Sequence, residues 1–186
     1  VKADFSAVIK RSRDVAEGMS KGIQFLMKKN KIDVIMGTAK VKAGKKVDVT
    51  GTDGKITNLT GSHIIIATGA RSRQLPNLMQ DGKKIIGYRE AMNLPKQPKS
   101  LIVVGSGAIG VEFAYFYATM GTKVTIVEFL PNIVPVEDEE VSKQLEKSFK
   151  KVGIDIMTDA SVESVDTKGD GCKVNIKTKT GNITLD

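Results

Sequence analysis

The sequence predicts an α/β fold: a parallel sheet with helices against it and an antiparallel β-meander beside it, stacked as three ββα layers. Three observations predict this. Two apolar runs, Leu101-Ile102-Val103-Val104 and residues 124–127, have the continuous character of strands buried on both faces. Segments with helical spacing of apolar residues follow each run. Three short strand-like segments (162–165, 172–177 and 183–185) then come in succession, split by turns at Lys168-Gly169-Asp170-Gly171 and Thr180-Gly181.

From the beginning of the chain, Asp4 can cap a long helix through about Lys29. Val8, Ile9, Val15, Met19, Ile23 and Leu26 recur there at helical spacing, and Asn30 is a stop. Val34-Ile35-Met36 reads as a short strand ending at Gly37. Residues 40–59 read as strand, turn, strand, with turns at Ala43-Gly44-Lys45 and Thr52-Asp53-Gly54. Ile64-Ile65-Ile66-Ala67 has the character of a buried parallel strand, ending at Thr68-Gly69-Ala70. Residues 75–100 form a connector with Pro76, Gly82, Pro95 and Pro98 and a short helical stretch around 90–94. A boundary near Pro98 would give two units, 1–98 and 99–186.

The second unit opens with strand 101–104, a helix over about 108–120 closed by Gly121, and strand 123–128. A further helix begins at Pro135-Val136-Glu137-Asp138-Glu139-Glu140, whose acids suit the positive end of the helix dipole. Val141, Leu145, Phe149 and Val152 carry its apolar face, Gly153 ends it, and Ile154-Asp155-Ile156-Met157 is the next strand. Helix, short strand and ladder occur in both halves, so the chain reads as an internal repeat of one nucleotide-binding plan.

Composition narrows the function. At 186 residues and 40% hydrophobic content the chain can bury a core. No apolar stretch approaches the ~20 residues of a membrane span, so no membrane association is expected. The sequence starts Val1-Lys2-Ala3-Asp4, without a start Met or a signal-peptide pattern, and stops on strand-like residues. It reads as a piece of something longer. Cys172 is the only cysteine, so an intrachain disulfide and a cysteine-based metal site are excluded and a cytoplasmic origin fits. His63, the only histidine, has no second ligand and reads as a strand-edge residue. The net charge of +8 is concentrated in residues 1–98, which hold 19 Lys and Arg against 8 Asp and Glu. Those charges are dispersed, aromatic content is 5%, and no nucleic-acid motif is present, so a solvated basic face is expected rather than a nucleic-acid partner.

The chemistry lies in Gly105-Ser106-Gly107-Ala108-Ile109-Gly110, a Gly-x-Gly-x-x-Gly loop between strand and helix in a Rossmann-like context. Gly105 allows the tight turn, where a side chain would clash. Gly107 lets the backbone approach a pyrophosphate, and Gly110 lets the helix pack near the strand. The unpaired N–H groups of the helix start would then face the phosphates. Glu128 ends the second strand about 20 residues on, where an acid can bind ribose hydroxyls. Phe129-Leu130-Pro131 follows with no Arg or Lys, so a 2′-phosphate would be repelled and NAD is favoured over NADP. A methyltransferase, which also uses a glycine loop and a strand-end acid, is the alternative from another class. A non-catalytic dinucleotide sensor or scaffold is a third reading.

Several runs together resemble the FAD-dependent pyridine nucleotide–disulfide oxidoreductases. They are Ile65-Ile66-Ala67-Thr68-Gly69-Ala70, the glycine loop through Glu112-Phe113, Val127-Glu128-Phe129-Leu130, and Ile133-Val134-Pro135-Val136-Glu137-Asp138. The similarity spans essentially the whole chain, and the last two runs point to the lipoamide branch rather than to the NADP-using glutathione reductases. The resemblance implies an FAD/NAD(P)-binding fold, with a partial FAD-binding domain and linker over 1–98 and an NAD domain over 99–186, truncated before its last strand. It implies that Gly105, Ser106, Gly107, Ala108, Ile109, Gly110 and Glu128 form the NAD site. Ile109 and Glu112 match positions near the nicotinamide and flavin rings, and Val162 a position lining the adenine side. Gly37, Thr68, Gly69 and Ala70 match positions touching FAD. For Glu112 the bland account is a helix-start acid favoured by the dipole, and for Val162 it is core packing.

The implied activity is oxidation of dihydrolipoamide on the lipoyl domains of a 2-oxo acid dehydrogenase complex. Electrons would pass through a redox disulfide and FAD to NAD, in a homodimeric enzyme. Sibling flavin reductases such as NADH oxidases and mercuric reductases stay open. The redox cysteine pair, the first FAD glycine loop and the C-terminal interface domain with its His–Glu pair are missing from these residues. No catalytic residue is therefore assigned, and turnover by the chain alone is not expected.

Overall fold

The computed structural model describes residues 3–186. Two compact units result. The larger joins the start of the first helix, through Lys10, to Ser72–Asp186, and the smaller is Arg11–Arg71.

Helix α1 (Phe5–Lys29) starts where expected, because the Asp4 carboxylate accepts the Ala7 N–H at 3.1 Å. Only its first turns are covered. Phe5 is buried against Phe116 and Tyr117, with ring centroids 6.4 and 6.0 Å away, and Ile9 packs on the same cluster. Val15, Met19, Ile23 and Leu26 keep their helical spacing but stay exposed.

In the smaller unit, β1 (Thr38–Lys42), β2 (Lys46–Thr50) and β3 (Ile56–Thr60) form an antiparallel meander in the order β1-β2-β3. Its turns fall on the two glycine-containing sequences expected to turn, and Asp53 accepts the Lys55 N–H across the second. Two expected strands do not form. Residues 34–36 and 64–67 have no regular structure, with Met36 81% and Ile65 90% exposed. A strand exists only through a neighbour's hydrogen bonds, and among the described residues nothing pairs with either segment.

The larger unit realises the three layers. Its middle layer is a parallel sheet of β4 (Ser100–Val104), β5 (Lys123–Val127) and β6 (Asp155–Met157), in that order. Side chains alternate across it as the pleat requires. Leu101, Val103, Val124, Ile126 and Ile156 join one core cluster. That cluster lies under α3 (Ala108–Thr119) and α4 (Glu139–Lys151), which contribute Ala114, Tyr117, Leu145 and Phe149. Ile102, Val127 and Met157 join a second cluster on the opposite face. The third layer, β7 (Ser161–Asp166), β8 (Lys173–Thr178) and β9 (Gly181–Leu185), supplies Val162, Val174 and Ile176 to it as an antiparallel meander.

The buried face of α4 differs from the expected one. Ser142 and Phe149 are buried, whereas Val141 and Val152 are exposed. Ser142 lies three and seven residues before Leu145 and Phe149, on the face that packs into the core, and its hydroxyl reaches the Val134 carbonyl at 3.4 Å. The connector packs with this unit. It carries a short helix, α2 (Tyr88–Ala91), whose Ala91 carbonyl accepts the buried Tyr117 hydroxyl at 2.6 Å. Burial raises the Tyr117 pKa. The Lys84 ammonium meets the carbonyls of Thr167 and Gly171 at 2.6 and 3.1 Å, and the Asn77 amide meets that of Val162 at 2.9 Å.

Candidate functional site

The chain leaves β4 through Gly105, which has φ +95°, a left-handed value that disfavours any side chain. No atom lies within 4 Å of where its Cβ would stand, so the constraint is backbone conformation and not the expected clash. The Gly105 N–H donates to the Val127 carbonyl at 2.9 Å, which joins the turn to the end of β5. Gly107 caps α3 in extended conformation, and the space a side chain would take there is likewise open. Gly110 is the opposite case: a Cβ would stand 2.2 Å from the Gly105 carbonyl oxygen and 3.4 Å from Val103 Cγ1. This close approach brings the first turn of α3 against the loop.

The start of α3 has no side-chain cap and no acid in its first turn. Its unpaired N–H groups and the positive end of its dipole are left for an external anion. Glu112 lies beyond that first turn and is exposed, as are Ala108 and Ile109. A dipole-stabilised acid of the first turn therefore does not describe Glu112.

Glu128 is 7% exposed and is brought onto the loop. Its Oε2 accepts the Ser106 N–H at 2.8 Å and the Ser106 hydroxyl at 2.6 Å, while Oε1 accepts the Leu130 N–H at 2.9 Å. Burial by itself pushes the Glu128 pKa up. The hydrogen bonds from Ser106 and from the backbone outweigh it and hold the carboxyl below its usual range, hence ionised at neutral pH. The Phe129 backbone adds to this hold, and Oε2 carries both Ser106 donors while Oε1 faces the Leu130 N–H. The Glu128 backbone is held by Met157 and Ala160 on its two sides, at 2.8 and 3.0 Å.

Two neighbours of the carboxylate take roles that the sequence does not assign them. Ser106 is wholly buried, and Val134 has φ +41°, an unfavourable value for a β-branched residue. The Val134 N–H donates to the Ser106 carbonyl at 3.0 Å and to its hydroxyl at 3.2 Å. The sequence identifies Ser106 as a member of the glycine loop but not its bond to the acid. The left-handed Val134 depends on contacts 28 residues away in sequence.

The remaining candidates lie elsewhere. Val162 is buried in the second core cluster with Val127, Ala160, Val174 and Ile176. Gly37, Thr68, Gly69 and Ala70 belong to the smaller unit and are exposed. A Cβ on Gly37 would stand 2.4 Å from the Thr50 carbonyl oxygen, and Gly69 has φ +73°. His63 is exposed, and Cys172 is half-buried beside the second cluster. Among the described residues no group of His, Cys, Asp or Glu is placed to hold a metal, and no helix is long and apolar enough to cross a membrane.

The chain is 44% identical over 181 residues to a dihydrolipoyl dehydrogenase of Zymomonas mobilis, covering 97% of this chain and 39% of that protein. It is 46% identical over 176 residues to a dihydrolipoyl dehydrogenase of Chlorobaculum tepidum, covering 95% and 38%. The crystal structure of LpdA from Mycobacterium tuberculosis matches with TM-score 0.88 and 28% identity, over 99% of this chain and 41% of that one. The HOCl-induced flavoprotein disulfide reductase RclA of Escherichia coli matches with TM-score 0.80 and 28% identity, over 99% and 41%. The chain thus spans about two-fifths of the length of the relatives it matches. The sequence pattern of the pyridine nucleotide-disulphide oxidoreductases matches residues 2–186, and the chain belongs to that family.

Proposed function

We propose that residues 99–186 form the NAD-binding platform of a flavoprotein dihydrolipoyl dehydrogenase. The observation that carries this reading is the uncapped, acid-free start of α3 beside an ionised, buried Glu128 brought onto the loop. The open space at Gly107 suits a pyrophosphate on the first N–H groups of α3, and Glu128 Oε1 suits a ribose hydroxyl. A 2′-phosphate would meet the Glu128 charge with Phe129-Leu130-Pro131 next to it and no cation, which supports NAD over NADP. The nicotinamide supplies hydride acceptance when bound, and the residues of the platform orient it and shape its specificity. Ile109 and Glu112, exposed on the first half of α3, are proposed to line the nicotinamide side, and Val162 the adenine side.

On the same reading, residues 1–98 are part of the FAD-binding domain with its linker, and Gly37 and Thr68-Gly69-Ala70 touch FAD. The whole enzyme would be a cytoplasmic homodimer that passes electrons from dihydrolipoamide, on the lipoyl domains of a 2-oxo acid dehydrogenase complex, through a disulfide and FAD to NAD. Cys172 is the only cysteine of the sequence, so that disulfide is not formed within these residues. The match to RclA, at the same 28% identity as the match to LpdA, favours one second reading, a sibling flavoprotein disulfide reductase with the same nucleotide platform.

Titration of the protein with NADH and with NADPH tests the platform. Saturable NADH binding that exceeds NADPH binding is expected, with the preference reduced or reversed by Glu128→Arg. Equal binding of the two nucleotides, unchanged by that substitution, would overturn it.

A further inference from the structure

Ser106 falls outside the roles that the glycine loop needs. A residue there contributes a backbone N–H and a turn, and neither requires a side chain. Yet its hydroxyl is wholly buried and has two partners, donating to Glu128 Oε2 at 2.6 Å and accepting from Val134 N at 3.2 Å. The first bond is short and charge-assisted, the stronger class of hydrogen bond. With the Ser106 N–H at 2.8 Å it places two donors from one residue on a single carboxylate oxygen. Two donors on Oε2 fix the rotation of the carboxylate about its last bond, which otherwise has a broad two-fold preference. Oε1 is thereby turned to the side of the Leu130 N–H. The second bond ties the same hydroxyl to Val134 in its left-handed conformation, so the loop after β5 and the carboxylate are held by one oxygen atom.

We infer that Ser106 is a positioning residue for nucleotide selection. Its hydroxyl holds Glu128 in the orientation that receives the ribose, and it acts on the ligand only through Glu128. The inference rests on the NAD reading above and deepens it. Removing the hydroxyl leaves the Ser106 N–H on Oε2 and the Ser106 carbonyl on Val134, so the fold keeps most of its bonds there. What is lost is the fixed carboxylate.

The test is a double-mutant cycle on nucleotide affinity in the protein, with Ser106→Ala, Glu128→Ala and the pair, titrated with NADH and with NADPH. Ser106→Ala is expected to weaken NADH binding about fivefold to tenfold while leaving NADPH binding within about twofold. In the Glu128→Ala background it should change NADH binding by less than about twofold. Ser106→Gly, which removes the same hydroxyl with a different change in volume, should repeat the pattern. General damage to the loop would instead weaken both nucleotides together, and a direct phosphate contact by Ser106 would persist without Glu128. Either result overturns the inference, as does unchanged NADH binding in both serine variants. If Glu128→Ala itself leaves NADH binding unchanged, the NAD reading falls. If Glu128→Ala weakens binding and Ser106→Ala does not, only the role of Ser106 falls.

Discussion

Two helices of the larger unit, α3 and α4, begin in opposite ways. α4 satisfies its own start. Asp138 accepts the Glu140 N–H at 2.8 Å, and Glu139 and Glu140 sit in the first turn at the positive end of the dipole. α3 starts on Gly107, with no capping side chain and no acid in its first turn. The carboxylate brought onto its loop, Glu128, is turned to Ser106 and to Leu130 instead. One helix start is finished by its own side chains and needs no ligand. The other is pressed into place by close backbone packing at Gly110 and left electrostatically open. The difference teaches that a phosphate site is made as much by withholding caps as by supplying donors.

Four experiments break or sharpen this contrast. The largest effect is expected from Gly110→Val. A side chain there meets the Gly105 carbonyl at 2.2 Å, so the backbone must move. A loss of about 3 kcal/mol or more in denaturant unfolding is expected, together with loss of NADH binding. An unchanged unfolding midpoint would contradict the close approach. Gly107→Asp next gives α3 the kind of start that α4 has, in a place where the added Cβ meets open space. Its stability should stay level or rise by a few tenths of a kcal/mol, while NADH affinity falls about tenfold or more, near 1.4 kcal/mol. Retained affinity would mean that the phosphates do not sit on that helix end.

Asp138→Ala removes the cap of α4 and should cost about 1 kcal/mol in thermal or denaturant unfolding, with NADH affinity unchanged. A fall in affinity would mean that the two helix starts are coupled rather than independent. The smallest effect is confined to acid pH. Because Glu128 has its folded pKa below the unfolded value, its contribution to stability is full above about pH 4.3. That contribution is lost as the pH falls through the lower, folded value. Over that range the wild-type protein should lose more stability than Glu128→Gln. Parallel pH profiles would show that the carboxylate is not held ionised by Ser106 and Leu130.

Local signals were sufficient wherever an element carries its own determinants. Asp4, the glycine turns of the two meanders, the β4 and β5 runs and the Gly-x-Gly-x-x-Gly loop all act within a few residues, and all appear where the sequence places them. Apolar runs without a local partner were misleading. Val34-Ile35-Met36 and Ile64-Ile65-Ile66-Ala67 have the composition of strands, but composition cannot provide the neighbouring backbone that a ladder needs. The face of α4 shows a subtler limit. Val141 and Val152 fit the helical period, but the packed helix centres its inward face on Ser142, Leu145 and Phe149 instead.

By itself, then, the sequence determined the three-layer plan of the larger unit, the glycine loop and its acid. Each of these follows from backbone conformation, side-chain periodicity or spacing along the chain. Only the tertiary structure decided what holds the acid. The Ser106 hydroxyl reaches Glu128 and Val134 across more than 20 positions of sequence, and the depressed pKa of Glu128 combines that bond with the nearby Leu130 N–H. Such bonds gain their strength from burial, and burial is a property of the packed molecule rather than of any stretch of its sequence.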